Sequence, residues 1–199
     1  MTADRIGLLG GTFDPVHMGH LIMAERAADE LRLDRVLFVP GQTPPHKLGH
    51  LILPVHHRVA MVQLAIQGND RFAFSDLDLR SGTPSYTSEL LASTHELYPQ
   101  ADLFFIAGAD SLRDFPTWHE PETILAHATL AVSHRPGIVI DDAMLDALPE
   151  LRSRVALFNS PLIEISSSDI RDLATDGRSI RYLVPESVDA YIRNNHLYR

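Results

Sequence analysis

The sequence predicts an α/β fold, a doubly wound parallel sheet with helices on both faces, and three observations carry that expectation. Short apolar runs closed by Gly or Pro alternate along the chain with longer segments whose apolar residues recur at helical spacing. Such alternation implies βαβ units and strands covered on both faces. The first apolar run passes into the first helical segment through Gly10-Gly11, the kind of turn that opens a βα unit. The chain's 199 residues, 45% of them hydrophobic, suffice for one substantial core.

Residues 6–9 read as the first strand, and residues 18–31 as a helix with Leu21, Ile22, Ala24, Ala27, Ala28 and Leu31 on its apolar face. Residues 36–39 form a second strand closed by Pro40-Gly41, and residues 54–66 a helix carrying Val59, Met61, Val62, Leu64 and Ala65. A third strand is expected at 72–74, a helix at 87–97, and further strands at 103–106, 128–132 and 162–165. Residues 41–53, rich in Pro, His and Gly, read as a long loop, and residues 136–154 as a peripheral excursion with an acidic helix. Helices at 169–173 and 185–192 are expected to form a small layer beside the last strand. With no repeat and no convincing linker, residues 1–199 read as a single domain, with 166–199 as its C-terminal helical portion.

Composition narrows the function classes. The formal net charge of −9 gives a global field that opposes long nucleic-acid polyanions, though small phosphorylated substrates need only a local cluster of donors. The apolar runs stop well short of the ~20 residues of a membrane span. The start of the chain lacks the basic and apolar regions of a signal peptide, so a cytoplasmic location is expected. The absence of cysteine removes thiol nucleophiles, disulfides and zinc–thiolate sites together. The oligomeric state stays open, a homo-oligomer included.

In a Rossmann-like sheet, ligands sit at the carboxyl ends of the strands, and the first βα turn presents helix N–H groups to phosphate. Gly10, Gly11, Thr12 and Phe13 occupy that turn, where glycine permits positive φ and close approach of an anion. His17 and His20, three residues apart at the start of the helix, project onto one face beside it. Two imidazole donors so placed suit a reaction that moves charge onto a phosphorus as it becomes pentacoordinate. A plain tight turn, two surface histidines or a zinc pair are the competing readings; for zinc, no third ligand stands at a short fixed spacing, and no metal site is assigned. Late in the chain, Ser166, Ser167 and Ser168 precede a helix whose N–H groups they can cap, and Arg171 projects from its first turn as a fixed cation for phosphates; a solvated arginine on a serine-capped helix is the bland alternative.

Residues 10–20, Gly-Gly-Thr-Phe-Asp-Pro-Val-His-Met-Gly-His, and 165–171, Ile-Ser-Ser-Ser-Asp-Ile-Arg, resemble the two hallmarks of the nucleotidyltransferase superfamily with a His/Thr-x-Gly-His motif. Within it the chain is similar over nearly its whole length to the bacterial nicotinate-nucleotide adenylyltransferases. Pro44-Pro45-His46-Lys47, Pro84-Ser85-Tyr86-Thr87 and Gly108-Ala109-Asp110 followed by Pro116-Thr117-Trp118 carry that likeness, as does the ending from Arg181-Tyr182-Leu183-Val184-Pro185 to Leu197-Tyr198. The resemblance implies transfer of AMP from ATP to nicotinate mononucleotide, with Mg²⁺ carried on the triphosphate. It implies a catalytic role for His17, His20 and Arg171, and ATP or phosphate binding by Gly10, Gly11, Thr12, Phe13, Ser167, Ser168 and Arg171. Mononucleotide and ribose contacts fall on His46, Lys47, Tyr86, Thr87, Gly108, Asp110, Trp118 and Arg135. A sibling activity on nicotinamide mononucleotide or phosphopantetheine is the alternative. One position departs from the family pattern: Glu89 stands where an Asp is usual.

Overall fold

The computed structural model of the chain describes residues 4–42, 52–80, 86–134, 140–148 and 150–199. Their centre is a six-stranded sheet of β1 (Arg5–Gly11), β2 (Arg35–Pro40), β3 (Phe72–Phe74), β4 (Asp102–Gly108), β5 (Ala128–His134) and β6 (Val155–Asn159), in the order β3-β2-β1-β4-β5-β6. Every neighbouring pair is parallel. The chain winds outward from β1 through β2 to β3, then returns to lay β4 on the other side of β1. That reversal makes the β1/β4 boundary the switch point at which such sheets open a crevice beyond their carboxyl ends.

Around the sheet run α1 (Met18–Glu30), α2 (Val55–Ile66), α3 (Leu77–Arg80), α4 (Thr87–Leu97), α5 (Ala109–Asp114), α6 (Pro121–His127), α7 (Asp142–Leu145), α8 (Ser167–Thr175) and α9 (Glu186–Asn194). Because strand side chains alternate between faces, the apolar strands feed two cores. Leu9, Val36, Phe38, Phe104 and Ile106 pack with Ala24, Ala27 and Ala28 of α1, Met61 and Val62 of α2, Ile170 of α8, and Val188 and Ile192 of α9. Ile6, Leu8, Leu37, Leu103, Phe105 and Leu130 pack on the opposite face with Leu90 and Leu91 of α4, Leu112 of α5, and Ile124 and Leu125 of α6. The doubly wound expectation therefore holds. No helix among the described residues is long and apolar enough to cross a membrane.

One local expectation is corrected and two are refined. The sixth strand is β6, not residues 162–165, because Val155-Ala156-Leu157-Phe158 takes the free edge of β5 in register from Leu130↔Val155 to His134↔Asn159. Residues 162–165 then follow Pro161 beyond the sheet as unpaired extended chain. The late helices form a small layer over the core that α1 and α2 share with Phe158 of the last strand. There Ser187 of α9 donates to the Leu64 carbonyl of α2 at 3.1 Å. Among its described residues, the acidic excursion holds the short α7 and a 3₁₀ turn, Leu151–Arg154, where Arg152 bridges Asp142 and Asp146. Of the loop expected over 41–53, residues 43–51 lie outside the described residues.

One charged group sits inside this frame. Arg58 lies on the inward stripe of α2 with Met61, Val62 and Ile66, and is 1% exposed. Its guanidinium donates to the carbonyls of Thr12 at 2.7 Å, Gly41 at 2.8 Å, Gln42 at 3.1 Å and Leu53 at 3.1 Å. Burial pushes its pKa down, while the neighbouring Asp14 and Tyr198 pull it back up. Its planar fork thus ties the segments leaving β1 and β2 to the entry of α2. Arg58→Met fills similar volume but strands those carbonyls, each buried unpaired acceptor costing about 1–3 kcal/mol. Urea unfolding is expected to show a loss of about 3 kcal/mol or more, and a loss under about 1 kcal/mol would contradict the clamp.

Candidate active site

The site begins where β1 ends. Gly10 and Gly11 remain in the strand, opposite Val39 and Pro40 of β2, and neither adopts positive φ. The expectation that they supply a left-handed turn is corrected: the positive φ, 51°, belongs to Phe13. A β-carbon on Gly11 would stand 3.0 Å from the Phe13 ring. The glycine makes room for that ring to fold back into the core, where it is 1% exposed and touches Phe38. Burial of the aromatic ring offsets the strain of its backbone.

The next residues set up α1. His17 occupies its N-cap with extended backbone and is 7% exposed. Its main-chain N–H donates to Nδ1 of His20 at 3.2 Å. With Nδ1 an acceptor, the neutral His20 ring carries its proton on Nε2. The two imidazoles stack at 3.7 Å with 29° between planes, and Phe13 meets the His20 ring edge-on at 5.1 Å. A β-carbon at Gly19 would come within 3.1 Å of His17 Cε1 and Nδ1, so glycine at that position gives the His17 ring room over the first turn of α1. His17 Nδ1 is buried without a hydrogen-bond partner, and burial lowers the ring's pKa to about 4. His17 is therefore neutral at pH 7.

From the other side, α8 closes on this loop. Ser166 caps the helix, accepting from the Asp169 N–H at 3.1 Å, which leaves the next two serines for other work. Ser167 Oγ donates to the Pro15 carbonyl at 2.9 Å, and Arg171 donates to the Asp14 carbonyl at 2.8 Å and to Ser168 Oγ at 3.1 Å. His17, His20, Ser167, Ser168 and Arg171 line a cleft of about 390 Å³, together with Gly19, Ser133, Ser160 and an apolar wall of Met23, Pro161, Ile163 and Ile165. That volume is in the range of small-molecule sites. The extended residues after β6 thus form a wall of the cleft.

The Asp14 carboxylate, 3% exposed, is turned away from this cleft. Oδ1 accepts from the Tyr198 hydroxyl at 2.7 Å and Oδ2 from the Leu53 N–H at 3.3 Å. Burial, with the Asp14 charge and hydrogen bond adding to it, pushes the Tyr198 pKa far up, so the phenol stays a donor.

A second group gathers at the carboxyl end of β4, the strand beside β1. Gly108 is the N-cap of α5, and Asp110 lies in its first turn. Trp118 is half-buried, packing edge-on against Phe105 at 5.9 Å and tilted against Phe115 at 5.5 Å. Its neighbour His119 stacks on Tyr86 at 4.0 Å and reaches Ser88 Oγ at 3.3 Å, bringing the start of α4 to the same end of the sheet. Tyr86, not Thr87, is the N-cap of α4, and no side chain caps the helix; Thr87 is its first residue. The two groups of residues flank the switch point. His46, Lys47 and Arg135 lie outside the described residues.

Arg58, Asp14 as a buried hub, and Tyr198 carry no assignment in the sequence reading. For Arg58 a signal exists, a lone arginine on the apolar stripe of a helix; for Tyr198 there is none, since its partner lies 184 residues away.

Residues 8–173 match the cytidylyltransferase-like family. A probable nicotinate-nucleotide adenylyltransferase of Thermomicrobium roseum is 50% identical over 197 residues, covering 98% of this chain and 92% of that protein. The chain belongs to the nicotinate-nucleotide adenylyltransferase family. It is a nucleotidyltransferase. A second member, from Thermus thermophilus, is 45% identical over 195 residues, covering 98% of this chain and all of that protein. In fold the chain is similar to the nicotinic acid mononucleotide adenylyltransferase of Plasmodium falciparum, solved in complex with NaAD, with a TM-score of 0.80, 24% identity, and coverage of 98% and 97% of the two chains.

The buried His17 makes a stability prediction. The unfolded chain protonates this ring near pH 6.5 and the folded chain only near pH 4, so its contribution is full above pH 6.5 and is lost as pH falls through that window. Between pH 7.5 and 5 the loss is about 2 kcal/mol. Urea unfolding of His17→Gln at both pH values is expected to lack that part of the acid destabilisation; equal losses in both proteins would reject it.

Proposed function

We propose that the chain transfers the adenylyl group of ATP to the phosphate of nicotinate mononucleotide, forming deamido-NAD and releasing pyrophosphate. The observation that carries the reading is the stacked His17–His20 pair, held in a cleft at the sheet's switch point with Arg171 at its edge. The relatives' names and the NaAD bound to the Plasmodium falciparum protein point to the same acceptor.

A phosphate oxygen of the mononucleotide attacks the α-phosphorus; the new P–O bond forms as the bond to the β-phosphate breaks, and pyrophosphate leaves with the electron pair. The attacking monoester is already ionised near neutral pH, so no general base is required. The protein positions and neutralises. His20 offers Nε2–H to the α-phosphate, where charge grows in the transition state. His17, neutral and stacked on it, fixes its orientation and supplies a second imidazole. Arg171, with Ser167 and Ser168, binds the β- and γ-phosphates, and the main chain of Gly10, Gly11, Thr12 and Phe13 lies against the phosphates. Mg²⁺ carried on the triphosphate would screen its charge; the hydroxyls, imidazoles and guanidinium of the cleft suit an ion held by the nucleotide's own oxygens.

The acceptor is assigned to the group beyond β4. Trp118 faces the pyridine, Asp110 and Gly108 the ribose, and Tyr86 and Thr87 the nicotinate carboxylate. The uncapped start of α4 offers free N–H groups that suit an anion. His46, Lys47 and Arg135 are assigned to the mononucleotide phosphate. The reaction is assigned to the cytoplasm.

Acceptor competition tests the assignment. With ATP and Mg²⁺, pyrophosphate release is expected to prefer nicotinate mononucleotide over nicotinamide mononucleotide and phosphopantetheine, and equal rates would refute the acceptor. His20→Ala is expected to lower kcat by about 100-fold, the scale for one transition-state donor. If it raised only KM, His20 would be a binding residue instead. Arg171→Ala is expected to raise the KM for ATP roughly tenfold or more, as the loss of a charged hydrogen bond does.

A further inference from the structure

Asp14 poses an electrostatic problem. Its main-chain carbonyl accepts at 2.8 Å from Arg171, which lines the cleft assigned to the triphosphate, yet its side chain is an anion. A carboxylate free to rotate there would pair with the Arg171 guanidinium in the place of a triphosphate oxygen and would repel the nucleotide. The structure turns it inward, to the Tyr198 hydroxyl, the Leu53 N–H and the neighbourhood of the buried Arg58 charge. The Tyr198 bond, at 2.7 Å, is the shorter of the two hydrogen bonds to this carboxylate. Tyr198 is itself held: Thr175 of α8 donates to its carbonyl at 2.9 Å, on the same helix that presents Arg171.

We infer that Tyr198 is a positioning residue for the transfer reaction, whose hydroxyl keeps the Asp14 carboxylate out of the nucleotide cleft and so leaves Arg171 available to the triphosphate. The side chain touches no reacting atom. It acts through Asp14, and its effect therefore depends on the charge at position 14. A residue that merely supports the fold would affect the KM of both substrates rather than show this charge dependence in the KM for ATP alone.

The test is a double-mutant cycle in steady-state kinetics with ATP and nicotinate mononucleotide. Tyr198→Phe is expected to raise the KM for ATP about tenfold, the scale for a hydrogen bond to a charged group, and to leave the KM for the acceptor within about twofold. In an Asp14→Asn background the same substitution is expected to change the KM for ATP less than about twofold, because an amide carries no charge to compete for Arg171. An equal cost in both backgrounds, or equal increases in the KM of both substrates, overturns the inference. Should Tyr198→Phe fail to fold, Thr175→Val loosens the same tyrosine by its backbone; it is expected to raise the KM for ATP more weakly and again only where position 14 is charged, and a charge-independent effect overturns the inference equally. The inference rests on the assignment of Arg171 to the triphosphate. If Arg171→Ala leaves the KM for ATP unchanged, that assignment fails; if it raises the KM while the cycle shows no coupling, the inference fails alone.

Discussion

The hydrogen-bonded burial of Arg58 is the constraint on which the site's geometry depends. Four carbonyls from three chain segments converge on one guanidinium that water does not reach. Taking a charge out of water is costly unless its donors are satisfied, and here the satisfaction comes from main-chain groups that would otherwise be unpaired at the ends of β1 and β2. The arrangement is mutual. Arg58 can be buried only because those segments stand where they do, and they stand there because it is buried. From the Thr12 carbonyl outward, the strained Phe13, the Asp14 carbonyl that receives Arg171 and the His17 N-cap follow in sequence along a short stretch of chain with little freedom left.

The site also resolves a contrast between the whole molecule and its cleft. The chain carries a net charge of −9, a field unfavourable to a highly charged nucleotide. Locally the carboxylate of Asp14 is turned inward, and the polar side chains facing the cleft are a guanidinium, hydroxyls and imidazoles. The neutral His17 fits that setting. A permanently charged imidazolium would bind substrate and transition state alike, whereas a neutral N–H donor gains most as charge develops.

The sequence was informative wherever a local pattern had one physical cause. Five strands, the long helices and the doubly wound arrangement follow from period and punctuation, and the pairing of His17 with His20 follows from their spacing near a helix start. The misreadings came where two local patterns were equally apolar and only pairing chose between them: Val155–Asn159 and residues 162–165 are both strand-like, but β5 has one edge to offer. The assignment of positive φ to the Gly10-Gly11 pair failed for a related reason. Glycine there answers the bulk of the Phe13 ring, a demand visible only once the ring's position is known. Arg58, Asp14 and Tyr198 act together across 184 residues of chain, a separation at which no spacing rule operates.

That long-range closure bears on how the protein is made. β1 is the central strand from which the sheet winds, but the loop leaving it is stitched by Ser167 and Arg171 and held by Tyr198, all of them far later in the chain. During synthesis the sheet can pair strand by strand while the loop after β1 waits, because contacts of such high sequence separation come late in folding. A nascent chain interrupted before residue 167 carries both histidines and the Arg58 clamp but lacks the bonds that Ser167 and Arg171 make to the Pro15 and Asp14 carbonyls. The loop before the histidines is therefore complete only once residues 167–198 have joined it, although the strand it leaves is already paired within the sheet.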